Sequence, residues 1–482
     1  MEEMENNTEL NIDGMQQALI LGHDDEGSSS LLSSRIDEEL EELKNLIKEK
    51  KYTVIRKRLE DLNEADVAEL LEDLPEGDQL KIFRILPKDM AADVFAHLPI
   101  EVEQAIITSL SVREAANIVN NLMADDAADL MEEMPANIVR RLLANASAET
   151  RRDINHLLRY PEDSAGSIMT VEFVDLKETL TVEQAIERIR SIGIDKETIN
   201  ICYVLDAQRH LVGTAALRYL LINDPDKIIG DIMNDNVIAL TTLMDQEEVA
   251  MMFQKYDFTS MPVVDNENRL VGIITVDDVV DIMREEATED MEKMAAIIPS
   301  DKPYLRIGVF ETWAKRIPWL LLLMVSATFT GGIITHYETA LGAYVVLTRF
   351  IPMLMDTGGN AGGQVSVTVI RGLSLNEIEF SDFFKVIWKE IRVAFLCGFT
   401  LAVCNFVKLL VWDKVALSIA LVVCLTLVAA VVFAKLVGGI LPMVAQKIGF
   451  DPAVMASPFI TTIVDALSLM IYFRIATTIL HI

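Results

Sequence analysis

The sequence predicts a multi-domain membrane protein. An α-helical repeat domain, a tandem pair of small α/β domains, a connecting helix and a five-helix transmembrane domain follow one another. Three observations predict this. Charge is segregated: 65 of the 74 acidic and 32 of the 42 basic side chains precede Pro318, so the whole net charge of −32 lies before it. Beyond Arg316 come uncharged apolar runs, Ile317–Tyr337 and Val415–Ala434, each about the ~20 residues a helix needs to cross a bilayer core. Ahead of them, Leu62, Leu74, Leu86, Leu98, Leu110, Leu122 and Met134 recur every 12 residues.

Residues 1–35 form an acidic extension, expected to be disordered. Met1 to Ser34 is Ser/Asn-rich and has neither a basic start nor an apolar core, so it does not read as a signal peptide. The soluble part is therefore expected to be cytoplasmic. Its negative charge argues against nucleic-acid binding. Four scattered cysteines, Cys202, Cys397, Cys404 and Cys424, make neither a disulfide scaffold nor a zinc site.

Residues 36–160 carry the 12-residue period. Four of the periodic positions are followed by Pro75, Pro87, Pro99 and Pro135. A proline cannot continue a helix but suits the first turn of the next one. Each unit is thus a short helix and a turn, and the units stack as a small solenoid.

Residues 161–226 and 227–290 change pattern. Asn200–Leu205 and Met261–Val264 are short β-branched runs, each followed by a polar turn and a Leu-Val-Gly step at 211–213 and 270–272. Helical stretches at Thr181–Ile192 and Gln246–Lys255 lead into them. This arrangement resembles a tandem pair of CBS domains. The second copy carries Gly272-Ile273-Ile274-Thr275 and Asp278. The resemblance implies that Thr275 and Asp278 can hold the ribose and phosphates of ATP or another adenine nucleotide. The first copy has no matching Asp, and a pair that only transmits conformation is the alternative.

Residues 291–316 form the connector, interrupted at Pro299–Pro303. Leu305, Val309 and Trp313 lie four apart, on one face of a helix over Tyr304–Arg316. Residues 317–482 are read as five spans at about 317–337, 342–370, 393–412, 415–446 and 452–478. Pro352, Gly358, Gly359, Gly438, Gly439, Pro442 and Pro458 interrupt three of them, as backbone lining a cavity tolerates. Arg371, Lys385, Lys389 and Arg392 fall in one loop, placing that loop, and the N-terminus, inside. Five crossings put the C-terminus outside, in a multi-pass protein of the cell membrane.

Asp465 is the residue on which function turns. It lies about 20 Å along a helix from Pro452, deep in the hydrocarbon, where a carboxylate is costly and marks an ion pathway. The alternative is a structural pair with Arg349 or Arg474. Asp356 is a second intramembrane acid, beside Gly358, Gly359, Asn360 and Gln364. One or two carboxylates with carbonyls and small polar groups suit Mg²⁺, which keeps much of its water. Manganese meets the same description, whereas cobalt, nickel or zinc would favour His or Cys. In the soluble part, Asp277, Asp278, Asp281, Glu285, Glu286, Glu289, Asp290 and Glu292 crowd one segment. Asp125, Asp129 and Glu133 stack at four-residue spacing. Such faces are either plain solvated surface or repelling surfaces that a divalent cation brings together.

With acidic helical repeats, two CBS copies, a connecting helix and five spans, the chain resembles the MgtE family of magnesium channels and transporters over about 36–482. The carrying segments are Ile351-Pro352, Thr357-Gly358-Gly359-Asn360-Ala361-Gly362 with Gln364, Arg371-Gly372-Leu373, and Asp451-Pro452-Ala453 with Pro458, Thr462 and Asp465. The resemblance implies a homodimer in the lipid bilayer with Mg²⁺ at Asp465. Asp356, Gly358, Gly359, Asn360, Ser457 and Thr461 are pore-lining candidates. It also implies regulatory Mg²⁺ at Asp125, Asp129, Asp245, Glu247, Asp257, Asp278, Asp281, Glu286, Glu289 and Asp290, and a plug helix over about 304–316 that closes the pore when cytosolic Mg²⁺ is high. Ser457 departs from the family, where an amide side chain can stand. Passive uptake is the expected activity. A broader Mn²⁺/Co²⁺ transporter or exporter, and a membrane-anchored CBS nucleotide sensor, are the alternatives. No catalytic constellation is visible, so no enzyme is expected.

Overall fold

The computed structural model describes residues 25–300, 304, 307–338, 342, 344–455 and 457–481. The chain divides into two compact units, one ending at Val279 and one comprising Val280–Ile482.

The first unit begins with α1 (Asp25–Lys48) and α2 (Tyr52–Leu59). Helix α1 starts inside the segment expected to be disordered, and residues 1–24 of that segment lie outside the described residues. Eight short helices then follow: α3 (Glu64–Glu72), α4 (Glu76–Phe83), α5 (Lys88–Ala96), α6 (Ile100–Ser109), α7 (Val112–Val119), α8 (Ala124–Glu132), α9 (Ala136–Asn145) and α10 (Ala148–Leu157). Their first residues fall 12 apart from Glu64 to Ala148, so the sequence period is the helix period. Pro75, Pro87, Pro99 and Pro135 occupy the N-cap, one residue ahead of the expected first turn, with φ between −60° and −55°. There each proline's missing N–H costs nothing, and its carbonyl accepts the helix's first hydrogen bond. Asn63, Ser111 and Ser147 cap the other starts with side-chain oxygens. From α3 on, each helix packs against the one two further along. Leu74, Leu86, Leu98, Leu110 and Met134 of the repeat are buried between them.

Two three-stranded sheets follow. The first joins β1 (Asp175–Lys177), β2 (Ile201–Leu205) and β3 (Leu211–Ala216), with α11 (Val182–Ile192) crossing between the parallel pair β1 and β2. After α12 (Leu217–Ile222) and α13 (Ile229–Ile232), the second repeats the plan with β4 (Leu240–Thr241), α14 (Gln246–Tyr256), β5 (Ser260–Val264) and β6 (Leu270–Thr275). Each antiparallel pair carries its bulge at the same place, Val204/Leu205 and Val263/Val264. The glycine of each Leu-Val-Gly step admits a crossing segment. A Cβ on Gly272 would meet Met169 Sδ at 2.6 Å and Thr170 O at 2.7 Å. Helix α15 (Val276–Met294) leaves the second sheet.

In the second unit the chain forms α16 (Val309–His336), α17 (Ile351–Ser374), α18 (Phe383–Val411), α19 (Leu417–Lys447) and α20 (Ser457–Leu480). The connecting helix expected over 304–316 is not a separate element. From Val309 the backbone runs unbroken past Arg316 and Pro318 into the first apolar run. Residues 301–303, 305 and 306, including Leu305, lie outside the described residues. Four of the five long helices are long and apolar enough to cross a membrane: α16, α18 (with the turn from Phe380), α19 and α20 (with the turn from Pro452). Helix α17 is long enough, but its glycines and polar side chains keep it below that mark. Five spans read from apolar length thus hold for four. Helix α19 is the most enclosed, packing against α17, α18 and α20. Leu320, Leu321, Phe329, Phe395, Leu396 and Phe399 stay exposed on α16 and α18, as helices that meet lipid rather than water require.

Candidate ion pathway and cation sites

Asp465 lies eight residues into α20, about 12 Å along its axis. This is closer to the helix start than the expected 20 Å, because Pro452–Met455 is a separate 3-10 turn. The carboxylate is half-buried, and its Oδ1 is enclosed with no hydrogen-bond partner among the described residues. Its electrostatic neighbour is Asp356 of α17. Neither arginine weighed as a structural partner reaches it. Arg349 pairs with Asp413 instead, joined there by Lys408 at 3.6 Å, and Arg474 is exposed. Asp465 is thus a carboxylate in an apolar helix beside a second carboxylate, with no cationic side chain on its Oδ1 among the described residues.

Small residues make the approach of α17 and α20 tight. A Cβ on Gly358 would meet Ser468 Oγ at 2.9 Å, one on Gly359 would meet Thr461 Cγ2 at 2.9 Å, and one on Gly362 would meet Ile460 Cγ2 at 2.9 Å. Gly358, Gly359 and Gly362 are buried at that contact. They therefore place the two acids rather than present carbonyls to an ion. The polar handles lie on another face of α17: Asp356, Asn360 and Gln364 are exposed at four-residue spacing, followed by Thr368. Thr461 is half-buried on α20. The side chain of Ser457 lies outside what the structure describes.

In the first unit, Asp125 and Asp126 occupy the first turn of α8, with exposed Asp129 one turn on. Carboxylates there also stabilise the helix N-terminus. Their surroundings exceed that role. Burial first, then Asp278, Asp129, Glu197 and Glu172, pushes Asp126 up to about 7. Burial and the charges of Asp126 and Asp278 hold Asp125 well above its ordinary value. Glu197, half-buried and facing Asp277, Asp278 and Glu172, rises to about 7 through desolvation first and then those charges. Beneath them Glu103, only 8% exposed, is pushed up to about 9 by burial and by Asp126 and Asp129. Carboxylates from the helical repeats, the first sheet domain and the start of α15 thus share one electrostatic neighbourhood. Held together, they bind protons more tightly than isolated carboxylates do.

The other expected regulatory residues are dispersed. Asp245 caps the N-terminus of α14, accepting from the Glu247 amide at 3.0 Å, and Asp257 takes the left-handed C-cap of the same helix. An 11-residue helix separates them by about 16 Å, so they cannot share one ion. Asp281, Glu286, Glu289 and Asp290 lie further along α15, in the second unit. Among the described residues no three His, Cys, Asp or Glu side chains stand close enough to hold a metal ion. Thr275 and Asp278, the expected nucleotide pair, meet directly: Thr275 Oγ1 donates to Asp278 Oδ2 at 2.8 Å.

Sequence reasoning missed four acids, Glu103, Asp126, Glu172 and Glu197, and two lysines. The acids are invisible to a search for clusters along one segment, since they come from four places in the chain. Lys435 is 5% exposed inside α19. The signal was present, because the uncharged run ended at Ala434, but it read as an interruption rather than as a buried ammonium. Lys293 bridges α15 to the turn ahead of α20 through Glu289 and Asp451.

Comparison with known proteins agrees with this layout. Residues 351–475 match the family model for MgtE, a divalent cation transporter; 62–163 match the MgtE intracellular N domain; 229–285 match the CBS domain. A magnesium transporter MgtE of Thermus thermophilus is 40% identical over 332 residues, 69% of this chain and 73% of that protein. One of Bacillus subtilis is 37% identical over 344 residues, 70% of this chain and 74% of that protein. A crystal structure described as the soluble part of a magnesium transporter superposes with a TM-score of 0.50 at 31% identity, covering 52% of this chain and 99% of that one.

Proposed function

The chain belongs to the MgtE family of divalent cation transporters, and from that premise we propose that it passes Mg²⁺ across a membrane passively, driven by the membrane potential. It is a transporter, not an enzyme. The observation that carries the reading is the Asp465 carboxylate in an apolar helix, its Oδ1 enclosed without a partner among the described residues and Asp356 its electrostatic neighbour. A divalent ion moving inward across a 100 mV inside-negative potential gains about 4.6 kcal/mol, enough for uptake without a nucleotide-hydrolysing motor. Two carboxylates and a stripe of amides and hydroxyls suit an ion that keeps part of its hydration shell.

The pathway is completed by a second copy. Asp356, Asn360 and Gln364 form a polar stripe that a single chain leaves exposed on α17. Lipid cannot satisfy such a stripe, whereas a homodimer enclosing water can. The soluble acids then act as the sensor. Glu197, Asp125, Asp126 and Asp278 repel one another when bare, and cytosolic Mg²⁺ draws them together and biases the pathway shut. An adenine nucleotide held through Thr275 and Asp278 in the second CBS copy would act on the same helix start. In this reading the N-terminus lies in the cytoplasm and the C-terminus outside the cell membrane.

Proteoliposomes test this. Under an inside-negative potential the protein should admit Mg²⁺, with Mn²⁺ and Co²⁺ competing weakly. Neutralising Asp278, Asp281 and Glu289 together should leave the flux running at millimolar Mg²⁺ on the cytosolic side. Normal closure in that variant refutes the sensor, and equal flux of Mn²⁺ or Co²⁺ replaces the magnesium reading with that of a broader carrier.

A further inference from the structure

The repeat stack ends on a positive surface. Several arginines of the helical domain sit on acids: Arg56 on Glu60, Arg58 on Glu39 and Glu42, Arg84 on Glu114. Residues 136–159, spanning α9 and α10, differ. They carry Arg140, Arg141, Arg151, Arg152 and Arg159 against Glu149 and Asp153, a net charge of +3 in a strongly acidic half of the chain. All five arginines are exposed. Arg152 pairs with Asp153 at 3.2 Å and Arg151 donates to the Leu143 carbonyl at 3.4 Å, while no acid pairs with Arg140 or Arg151 among the described residues.

The same helices border a groove of about 580 Å³, lined by Met131, Met134, Val139 and Leu143, by Arg140 of α9 and by Arg151 of α10. The repeat explains why it is open. Helix α9 rests on α7 and α10 on α8. The chain forms no further helix between Leu157 and β1, so the side of α9 that another repeat would cover has no helix on it. A terminal repeat ordinarily turns a polar face outward. Here the outer face keeps an apolar lining beside two guanidinium groups without acids.

The chain holds a segment of matching chemistry. Residues 1–24 contain Glu2, Glu3, Glu5, Glu9, Asp13 and Asp24 and no lysine or arginine. Within them, Glu9-Leu10-Asn11-Ile12-Asp13 sets two apolar side chains between two carboxylates. In an extended segment Leu10 and Ile12 point to one side and Glu9 and Asp13 to the other. The first pair suits the apolar lining, and the second suits charge-assisted contacts with the exposed guanidinium groups. Reach agrees. Helix α1 packs on α3, α3 on α5, α5 on α7 and α7 on α9, four spacings of 8–10 Å, so about 32–40 Å. Residues 14–24, fully extended, span up to about 40 Å. A flat anionic surface would meet the arginines but leave the apolar lining empty.

We propose that residues 9–13 of this chain dock in the groove beside α9 and α10 and close the open end of the repeat stack. The acidic extension is then an intramolecular cap, anchored by Leu10 and Ile12 and held by Arg140 and Arg151. The inference does not depend on which ion the chain carries.

Amide hydrogen exchange on the full-length protein in detergent tests the docking. The amides of residues 9–13 should exchange at least roughly tenfold more slowly than those of a synthetic peptide of residues 1–24. Arg140→Glu with Arg151→Glu should remove about tenfold of protection. Glu9→Lys with Asp13→Lys on that background should restore it, as a coupled pair requires. Leu10→Asp with Ile12→Asp, which leaves the groove itself untouched, should abolish it. With Leu10 replaced by a benzophenone amino acid, light should crosslink it to residues 131–143 of the same chain. Exchange at the free-peptide rate in the parent, no recovery in the charge-reversed protein, or an adduct joining two copies overturns the proposal. Protection that appears only with vesicles of anionic phospholipid also overturns it, in favour of a lipid headgroup at the arginines.

Discussion

At the scale of single residues, the two halves of the chain use carboxylates in opposite ways. Asp465 is one acid isolated in an apolar helix; the soluble acids are many and crowded. Glu103 shows the cost of crowding. Its carboxyl, buried under Asp126 and Asp129, binds a proton up to about pH 9, against an ordinary value near 4.5. The folded state therefore holds a proton that the unfolded chain has released over the window between those values. Stability is greatest below about pH 4.5 as far as Glu103 is concerned, and it falls as pH rises toward 9, by up to about 1.4 kcal/mol per unit. In chelator the thermal midpoint of the solubilised protein should drop from pH 6 to pH 9, and Glu103→Gln should flatten the drop. A midpoint that climbs with pH over this range contradicts the buried-acid account. Asp465 was legible as an intramembrane acid from position alone. That Arg349 belongs to Asp413 was not, because 64 residues separate them and only the fold brings them together.

At the scale of elements, the repeat and sheet domains were the most legible part. A 12-residue period with prolines at fixed phase leaves little freedom, and the two CBS copies announce their strands by matched Leu-Val-Gly steps. The connecting helix was not legible. Apolar positions at four-residue spacing are shared by a separate amphipathic helix and by the first turns of a longer one, and the proline at 318 was too weak a stop to separate them. The helix whose end meets α17 and the turn ahead of α20 is α15, whose acidic sequence reads as solvated surface. Close packing of the membrane helices was half legible, through glycines whose partners the sequence does not name. Gly438 of α19 lies directly on the Gly362 carbonyl of α17, leaving no room for a Cβ. Backbone cannot move aside as a side chain does, so Gly438→Ala should lower the thermal midpoint sharply and abolish Mg²⁺ flux. Gly331→Ala, on the open face of α16, should change neither. Equal behaviour of the two variants would show that α17–α19 contact does not organise the pathway.

At the scale of the whole molecule, the net charge of −32 is confined to the part of the chain before the spans, while the spans themselves are nearly neutral. The excess crowds the soluble acids, and burial together with their neighbours raises the proton affinity of Glu103, Asp125, Asp126 and Glu197. The proposed dimer and sidedness rest on the polar stripe of α17 and on Arg371, Lys385, Lys389 and Arg392, which the structure places on the helices flanking a short turn rather than in the loop expected from the sequence; a single chain's sequence hints at both through spacing and charge. The account stands or falls on one carboxylate. The most direct measurement is Mg²⁺ uptake into proteoliposomes by Asp465→Asn, which keeps the size of the side chain and removes its charge. The predicted result is flux at the level of empty liposomes, from a protein that elutes and melts like its parent. Uptake at the parental rate would contradict the claim that Asp465 binds the ion in transit.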